Sequence, residues 1–164
     1  MYTIPSHLRK SYPPSVDYIE KIPTVLLDLT QLLAESRSVV AHVRWEEFFM
    51  QSRLALMTRS QWLDSAADLN YTKQSIETLK QYLPFNSVYY RILKPFTCYN
   101  WHQDAMQTCL HIPLNTHQGC RFVYEHCAFH LPADGSVYIV NNSKPHSFIN
   151  ASPDPRLHIT MDIF

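Results

Sequence analysis

From Ser87 to the C-terminus, short runs rich in Val, Ile, Tyr, Phe and Thr alternate with clusters of turn-forming residues. That rhythm is the pattern of a strand-rich sandwich or barrel. The runs cover 88–93, 108–114, 120–124, 136–140, 147–150 and 157–163, and the turns between them fall at 115–119, 132–135, 141–145 and 152–155. With only two Gly against 11 Pro in the chain, the turns must be made largely by Pro, Asn, Asp and Ser.

The first half has a different texture. A helix is expected from Thr24, a possible cap, to about residue 36, because Val25, Leu29 and Leu32 recur at helical spacing. A second fits 72–83, with Ile76, Leu79 and Leu83 on one stripe and Pro84 ending it. Residues 53–58 read as a strand and 60–70 as a loop. The expected architecture is mostly β with flanking helices. Its 164 residues suit one domain, in which 1–86 form a mixed helical support and 87–164 the core.

Charge and cysteine usage narrow the function classes. Basic and acidic residues balance at 14 each and no Lys/Arg run occurs, so nucleic acid is not the expected partner. No apolar stretch is long enough for a transmembrane helix, and residues 1–14 lack a signal-peptide core, so the reading is cytoplasmic with no membrane partner. Cys98, Cys109, Cys120 and Cys127 include no C-x-x-C pair. Free thiols packed as small hydrophobes are expected, with no structural zinc.

His102-Gln103-Asp104 sets an imidazole and a carboxylate two positions apart, which in an extended segment places both on one side. With a second His they would form a facial triad, leaving half of a metal's coordination sphere open. Taken alone, the pair is better read as a surface turn or a satisfied His–Asp hydrogen bond, since so short a motif arises readily by chance. For the third ligand, His146, His117, His126 and His130 are all open on composition. Arg156, His158 and Thr160 share one face of the last strand, opposite Leu157, Ile159 and Met161. An inward Arg beside a metal needs an anion, and a carboxylate suits the guanidinium fork. The bland alternative is a rim residue paired with Asp154 or Asp162.

Taken together, WHQD at 101–104, LHIPLNT at 110–116, DGSVYIVNNSKPHSFIN at 134–150 and RLHITMD at 156–162 resemble the aspartyl/asparaginyl β-hydroxylase-like group of 2-oxoglutarate oxygenases, which includes free-proline hydroxylases. The resemblance implies a double-stranded β-helix (jelly-roll or cupin-like) core. It implies Fe(II) carried by His102, Asp104 and His146, and 2-oxoglutarate held as co-substrate by Arg156. It also implies hydroxylation of a C–H bond in an amino acid or an amino-acid side chain, on a small-molecule or peptide substrate. In one respect the chain departs from the family: Cys109 stands where members usually carry an Arg two residues before a His. His111 is retained, as a possible hydrogen-bond donor to the co-substrate, but the cation at 109 is missing.

Trp101 is expected to wall the site or join the core, Asn141 and Asn142 to make turn hydrogen bonds, and Tyr89 and Arg91 to be optional contacts to substrate or co-substrate. Two competing readings are a non-oxidative cupin-type metal enzyme, which would not need Arg156, and an inactive barrel serving as a binding module.

Overall fold

The computed structural model describes residues 16–40, 46–48, 51–104 and 108–163. In chain order the elements are β1 (Ile19–Leu26), α1 (Leu29–Val40), β2 (Glu46–Phe48), β3 (Gln51–Thr58), β4 (Gln61–Trp62), a 3-10 turn (Asp64–Ala66) and α2 (Asn70–Lys80). There follow β5 (Phe85–Leu93), β6 (Thr97–Cys98), β7 (Thr108–Asn115), β8 (Cys120–Tyr124), β9 (Cys127–Phe129), β10 (Ser136–Asn141), β11 (His146–Asn150) and β12 (Arg156–Ile163).

Two antiparallel sheets face one another. The larger runs β1-β10-β7-β12-β5-β3-β2, with β4 on β3, and the smaller runs β6-β11-β8-β9. This is the double-stranded β-helix implied by the resemblance.

Strand periodicity sorts the side chains. Leu157, Ile159, Met161 and Ile163 of β12 join Leu110, Ile112 and Leu114 of β7, Val137 and Ile139 of β10, and helix residues Leu32, Ile76 and Leu79 in one core. Successive strand residues point to opposite faces, so Arg156, His158 and Thr160 turn toward the smaller sheet. There a second core gathers Leu93, Tyr138 and Val140 with Phe122, Tyr124 and Phe148. β10, buried on both faces, reads as a nearly unbroken apolar run, whereas β7 and β12 alternate, with apolar residues toward the helices and polar ones toward the smaller sheet.

The helices brace the larger sheet and cap each other. Asp28 accepts from the amides of Thr30 (2.9 Å) and Gln31 (3.2 Å), while Gln31 Nε2 returns to Asp28 Oδ2 at 2.8 Å. Asp28 is thus the N-cap, and its own amide donates to Tyr71 Oη at 2.8 Å rather than to Gln31, so the reciprocal bond of a capping box is not made. The carboxylate of Glu35 accepts from the amides of Tyr71 (2.7 Å) and Thr72 (2.8 Å), closing the first turn of α2. The helix expected from Thr24 therefore starts at Leu29, and 19–26 is a strand on β10. Helical spacing at Val25 misled because the true cap lies at Asp28. Pro23 falls where the β1 register breaks between Lys21 and Leu26, on an edge strand that tolerates a missing amide. The second helix spans Asn70–Lys80 rather than 72–83, and the expected loop at 60–70 contains β4 and the 3-10 turn.

All four cysteines are free, and only Cys109 and Cys120 are buried as expected; Cys98 is exposed and Cys127 intermediate. Among the described residues no helix is long and apolar enough to cross a membrane.

Gly135 holds the corner between β1 and β10. Its φ of +82° is in the left-handed region, its carbonyl accepts from Leu27 N at 2.8 Å, and a Cβ would run into the Leu27 carbonyl oxygen. Gly135→Ala is expected to cost about 1–3 kcal/mol in chemical denaturation, from backbone strain and this clash together.

Candidate functional site

Turn chemistry delivers the first part of the site. Asn141 Oδ1 accepts from the Ser143 amide at 3.0 Å, folding residues 141–145 so that His146 opens β11. Its main chain bridges to His102, with His102 N to His146 O at 2.9 Å and His146 N to His102 O at 2.8 Å. The imidazole centroids stand 4.3 Å apart. Asp104 N then bonds to Asn142 O at 3.1 Å, folding the carboxylate back toward both rings. One ligand atom from each of His102, Asp104 and His146 lies within 4.8 Å of the others.

Their hydrogen bonds determine which atoms face inward. His102 Nδ1 is 2.7 Å from Asn100 O, and His146 Nδ1 is 2.9 Å from Lys144 O. A carbonyl only accepts, so both rings are protonated at Nδ1 and offer an Nε2 lone pair. Asn142 Nδ2 donates to Asp104 Oδ2 at 2.9 Å, leaving Oδ1 aimed at His102 Nε2, 3.6 Å away. His146 is fully buried, its Nε2 has no hydrogen-bond partner, and burial lowers its pKa. A buried acceptor left bare among a second imidazole and a carboxylate fits a divalent metal. The set of two neutral nitrogens and one carboxylate suits iron(II). Asn142 was expected only to stabilise a turn; instead it orients Asp104.

The rival histidines stand elsewhere. His126 is exposed beside Glu125 (3.8 Å), His117 Nδ1 accepts from Gly119 N at 3.0 Å, and His130 Nδ1 is 3.1 Å from Cys120 O. Trp101 is 52% exposed, so it is not core, and it does not line the cavity beside the triad.

That cavity measures about 290 Å³, near the lower end of ligand pockets, and Arg156 closes part of it. Asn150 positions the strand. Its Nδ2 donates to the carbonyls of Leu93 (3.1 Å), Lys94 (3.2 Å) and Asp154 (2.8 Å), and its Oδ1 accepts from Ser152 N at 3.1 Å. This network fixes the turn from which β12 departs. Arg156 is 2% exposed and lies against Phe122 (5.4 Å) and Phe148 (5.1 Å). Its Nε is unpartnered, and among the described residues it has no acid partner. Burial lowers its pKa to about 10. The proposed partner Asp162 instead lies 4.0 Å from Arg91, and Asp154 uses its carbonyl to accept from Asn150 and Ser152.

Cys109 and His111 line the same cavity, as the shared strand face predicted. Burial pushes the Cys109 thiol well up, and Sγ lies 3.7 Å from Asp162 Oδ1. The cation missing at 109 has counterparts on the other side of β12. Arg91 of β5 and Arg53 of β3, paired in register, both line the cavity. Arg91 Nε donates to Thr160 Oγ1 at 2.9 Å. Asp162 has a raised pKa, from burial above all.

Two imidazoles and a carboxylate meeting inside a double-stranded β-helix define a candidate mononuclear metal centre. A model of the aspartyl/asparaginyl β-hydroxylase family matches residues 22–164, and the chain belongs to that family of hydroxylases. No curated protein matches the sequence. Among solved structures, the chain is similar to a 2OG-Fe(II) oxygenase family oxidoreductase from Burkholderia pseudomallei (TM-score 0.62, 14% identity, covering 96% of this chain and 86% of that one). It is similar to a Trichoplax adhaerens prolyl hydroxylase in complex with a hypoxia inducible factor peptide (0.65, 10%, 91% and 84%). It is also similar to HygX from Streptomyces hygroscopicus, with nickel and 2-oxoglutarate bound (0.60, 10%, 87% and 81%). At these identities the structural likeness is one of fold.

Asn142→Leu is expected to weaken zinc or iron(II) binding by about 10–100-fold, the usual cost of losing a group that orients a ligand. Isothermal titration at fixed pH checks this, with the melting temperature of the metal-free protein as control.

Proposed function

We propose that this chain is an Fe(II)- and 2-oxoglutarate-dependent dioxygenase that hydroxylates a C–H bond of an amino acid, free or within a peptide. His102, Asp104 and His146 would hold the iron, and Arg156 the distal carboxylate of 2-oxoglutarate, with His111 as a further donor. The chemistry the bound pair supplies is dioxygen activation: one oxygen atom converts substrate C–H to C–OH, and the other enters succinate as carbon dioxide leaves. The protein's part is to bind, orient and exclude water.

The observation that carries this reading is a buried guanidinium without an acid, opening on the same cavity as the triad. Burying a cation alone is costly, and a bidentate carboxylate removes that cost. A metal enzyme without an acidic co-substrate has no use for such an arginine. This observation therefore favours the oxygenase over a non-oxidative cupin-type enzyme.

Substrate is assigned to the other wall, where Arg53, Arg91 and Asp162 line the cavity with Gln51. A guanidinium with a carboxylate 4.0 Å away suits the carboxylate and ammonium of an amino acid. In this reading residues 87–164 form the catalytic core, and the preceding segment supplies both support and two cavity residues.

Anaerobic addition of iron(II) and 2-oxoglutarate is expected to give a visible metal-to-ligand charge-transfer band. In Arg156→Ala, iron binding persists while 2-oxoglutarate affinity falls about 10–100-fold, from loss of a charge-assisted pair. Iron binding without a band in the wild type would overturn the proposal.

Arg91→Met is expected to raise KM for an amino-acid substrate by about tenfold or more. The KM for 2-oxoglutarate should not move. Succinate release, measured against both concentrations, separates the two.

A further inference from the structure

At the cavity wall a lining imidazole meets a second one set behind it. His111 of β7 and His158 of β12 approach Nδ1 to Nδ1 at 3.2 Å, with their rings at 84°. Both are buried, at 5% and 1% exposure. Two neutral imidazoles in this contact have two arrangements, since one Nδ1 must carry a proton and the other must not. Neither ring is an iron ligand in the proposed centre.

The two Nε2 atoms decide between them. His158 Nε2 is buried and has no partner. The crevice that His158 shares with Thr116, Cys120, Phe122, Leu131 and Arg156 leaves no room for a water. A proton there would be an orphaned buried donor, whereas a bare lone pair is the less costly defect. Arg156 lines the same crevice, and its positive charge acts on His158 so as to favour a lone pair over an N–H. His111, by contrast, lines the 290 Å³ cavity, and with Nδ1 occupied by His158 its remaining nitrogen is Nε2. The edge contact of His111 with Phe122, at 5.1 Å and 88°, holds that ring in place.

We infer that His158 is a positioning residue: its Nδ1–H donates to His111 Nδ1, fixing His111 as the Nε2–H tautomer that presents a donor to an anionic oxygen in the cavity. The reverse arrangement would leave an N–H orphaned beside a cation and turn a lone pair toward a carboxylate. Burial and the charge of Arg156 hold both rings well below the usual histidine pKa, so neither gains a second proton to blur the choice. That the anion is 2-oxoglutarate rests on the proposed function; the tautomer pair does not.

The test has two readouts. Long-range proton–nitrogen NMR of the 15N-labelled, zinc-loaded full chain is expected to show His158 protonated at Nδ1 and His111 at Nε2. Titration of the zinc-loaded protein with 2-oxoglutarate then compares His158→Leu, which removes the donor, with His158→Asn, whose amide keeps an N–H near the Nδ1 position. His158→Leu is expected to mix the His111 tautomers and weaken 2-oxoglutarate about tenfold, as for a hydrogen bond to a charged group. His158→Asn restores both, and zinc affinity is unchanged in each.

His111 found protonated at Nδ1 in the wild type would overturn the inference, as would equal 2-oxoglutarate affinity in wild type and His158→Leu. If His158→Leu does not fold, the wild-type spectrum and the Asn variant still decide. Undiminished 2-oxoglutarate binding in Arg156→Ala would instead fail the functional reading, leaving the tautomer result intact.

Discussion

The centre depends on one pair of main-chain hydrogen bonds, between His102 and His146, at 2.9 and 2.8 Å. These bonds join the segment after β6 to the start of β11 and bring the two imidazoles together, while the Nδ1 contacts to Asn100 O and Lys144 O turn their Nε2 atoms inward. Backbone bonds suit this role because they are short and do not depend on side-chain rotamers. The carboxylate is added by the same logic, with the Asp104 amide on Asn142 O and the Asn142 amide group on Asp104 Oδ2. Each ligand is thus held from behind by an atom that cannot itself bind a metal in that pose.

Around that centre the fold divides its labour by strand face. The outer face of the larger sheet is apolar and covered by the two helices. Its inner face carries Cys109, His111, Arg156, His158 and Thr160, all buried. Placing such groups in a core is unfavourable unless each finds a partner. The imidazoles find each other, Thr160 finds Arg91, and Arg156 lies against two aromatic faces with its Nε unpartnered among the described residues. The burial of the outer face supplies the stability against which this polar interior is maintained.

Much of this was legible in the sequence because β10 is a nearly continuous apolar run and β7 and β12 alternate apolar with polar residues. Reading β12 by alternation placed Arg156, His158 and Thr160 together correctly. The triad was not legible from spacing alone, since His117, His126 and His130 were equal contenders until family resemblance and then geometry separated them. Periodicity failed at the start of the first helix, where Val25 falls at helical spacing from Leu29 and Leu32 but belongs to β1, and only the Asp28 cap marks where the helix begins. Asn142, Asn150 and the Arg91–Asp162 pairing act across sheets and strands, and no local pattern reports such meetings.

β12 crosses the whole cavity, and its inward residues from Arg156 to Asp162 are six positions apart, about 20 Å at the rise of an extended strand. Hydrogen-bonded to β5 on one side and β7 on the other, it cannot stretch or slide. It therefore acts as a yardstick. The post that would meet one end of a dicarboxylate and the post that would meet a second molecule stand at a fixed distance, so the length of whatever lies between them is measured by the backbone itself.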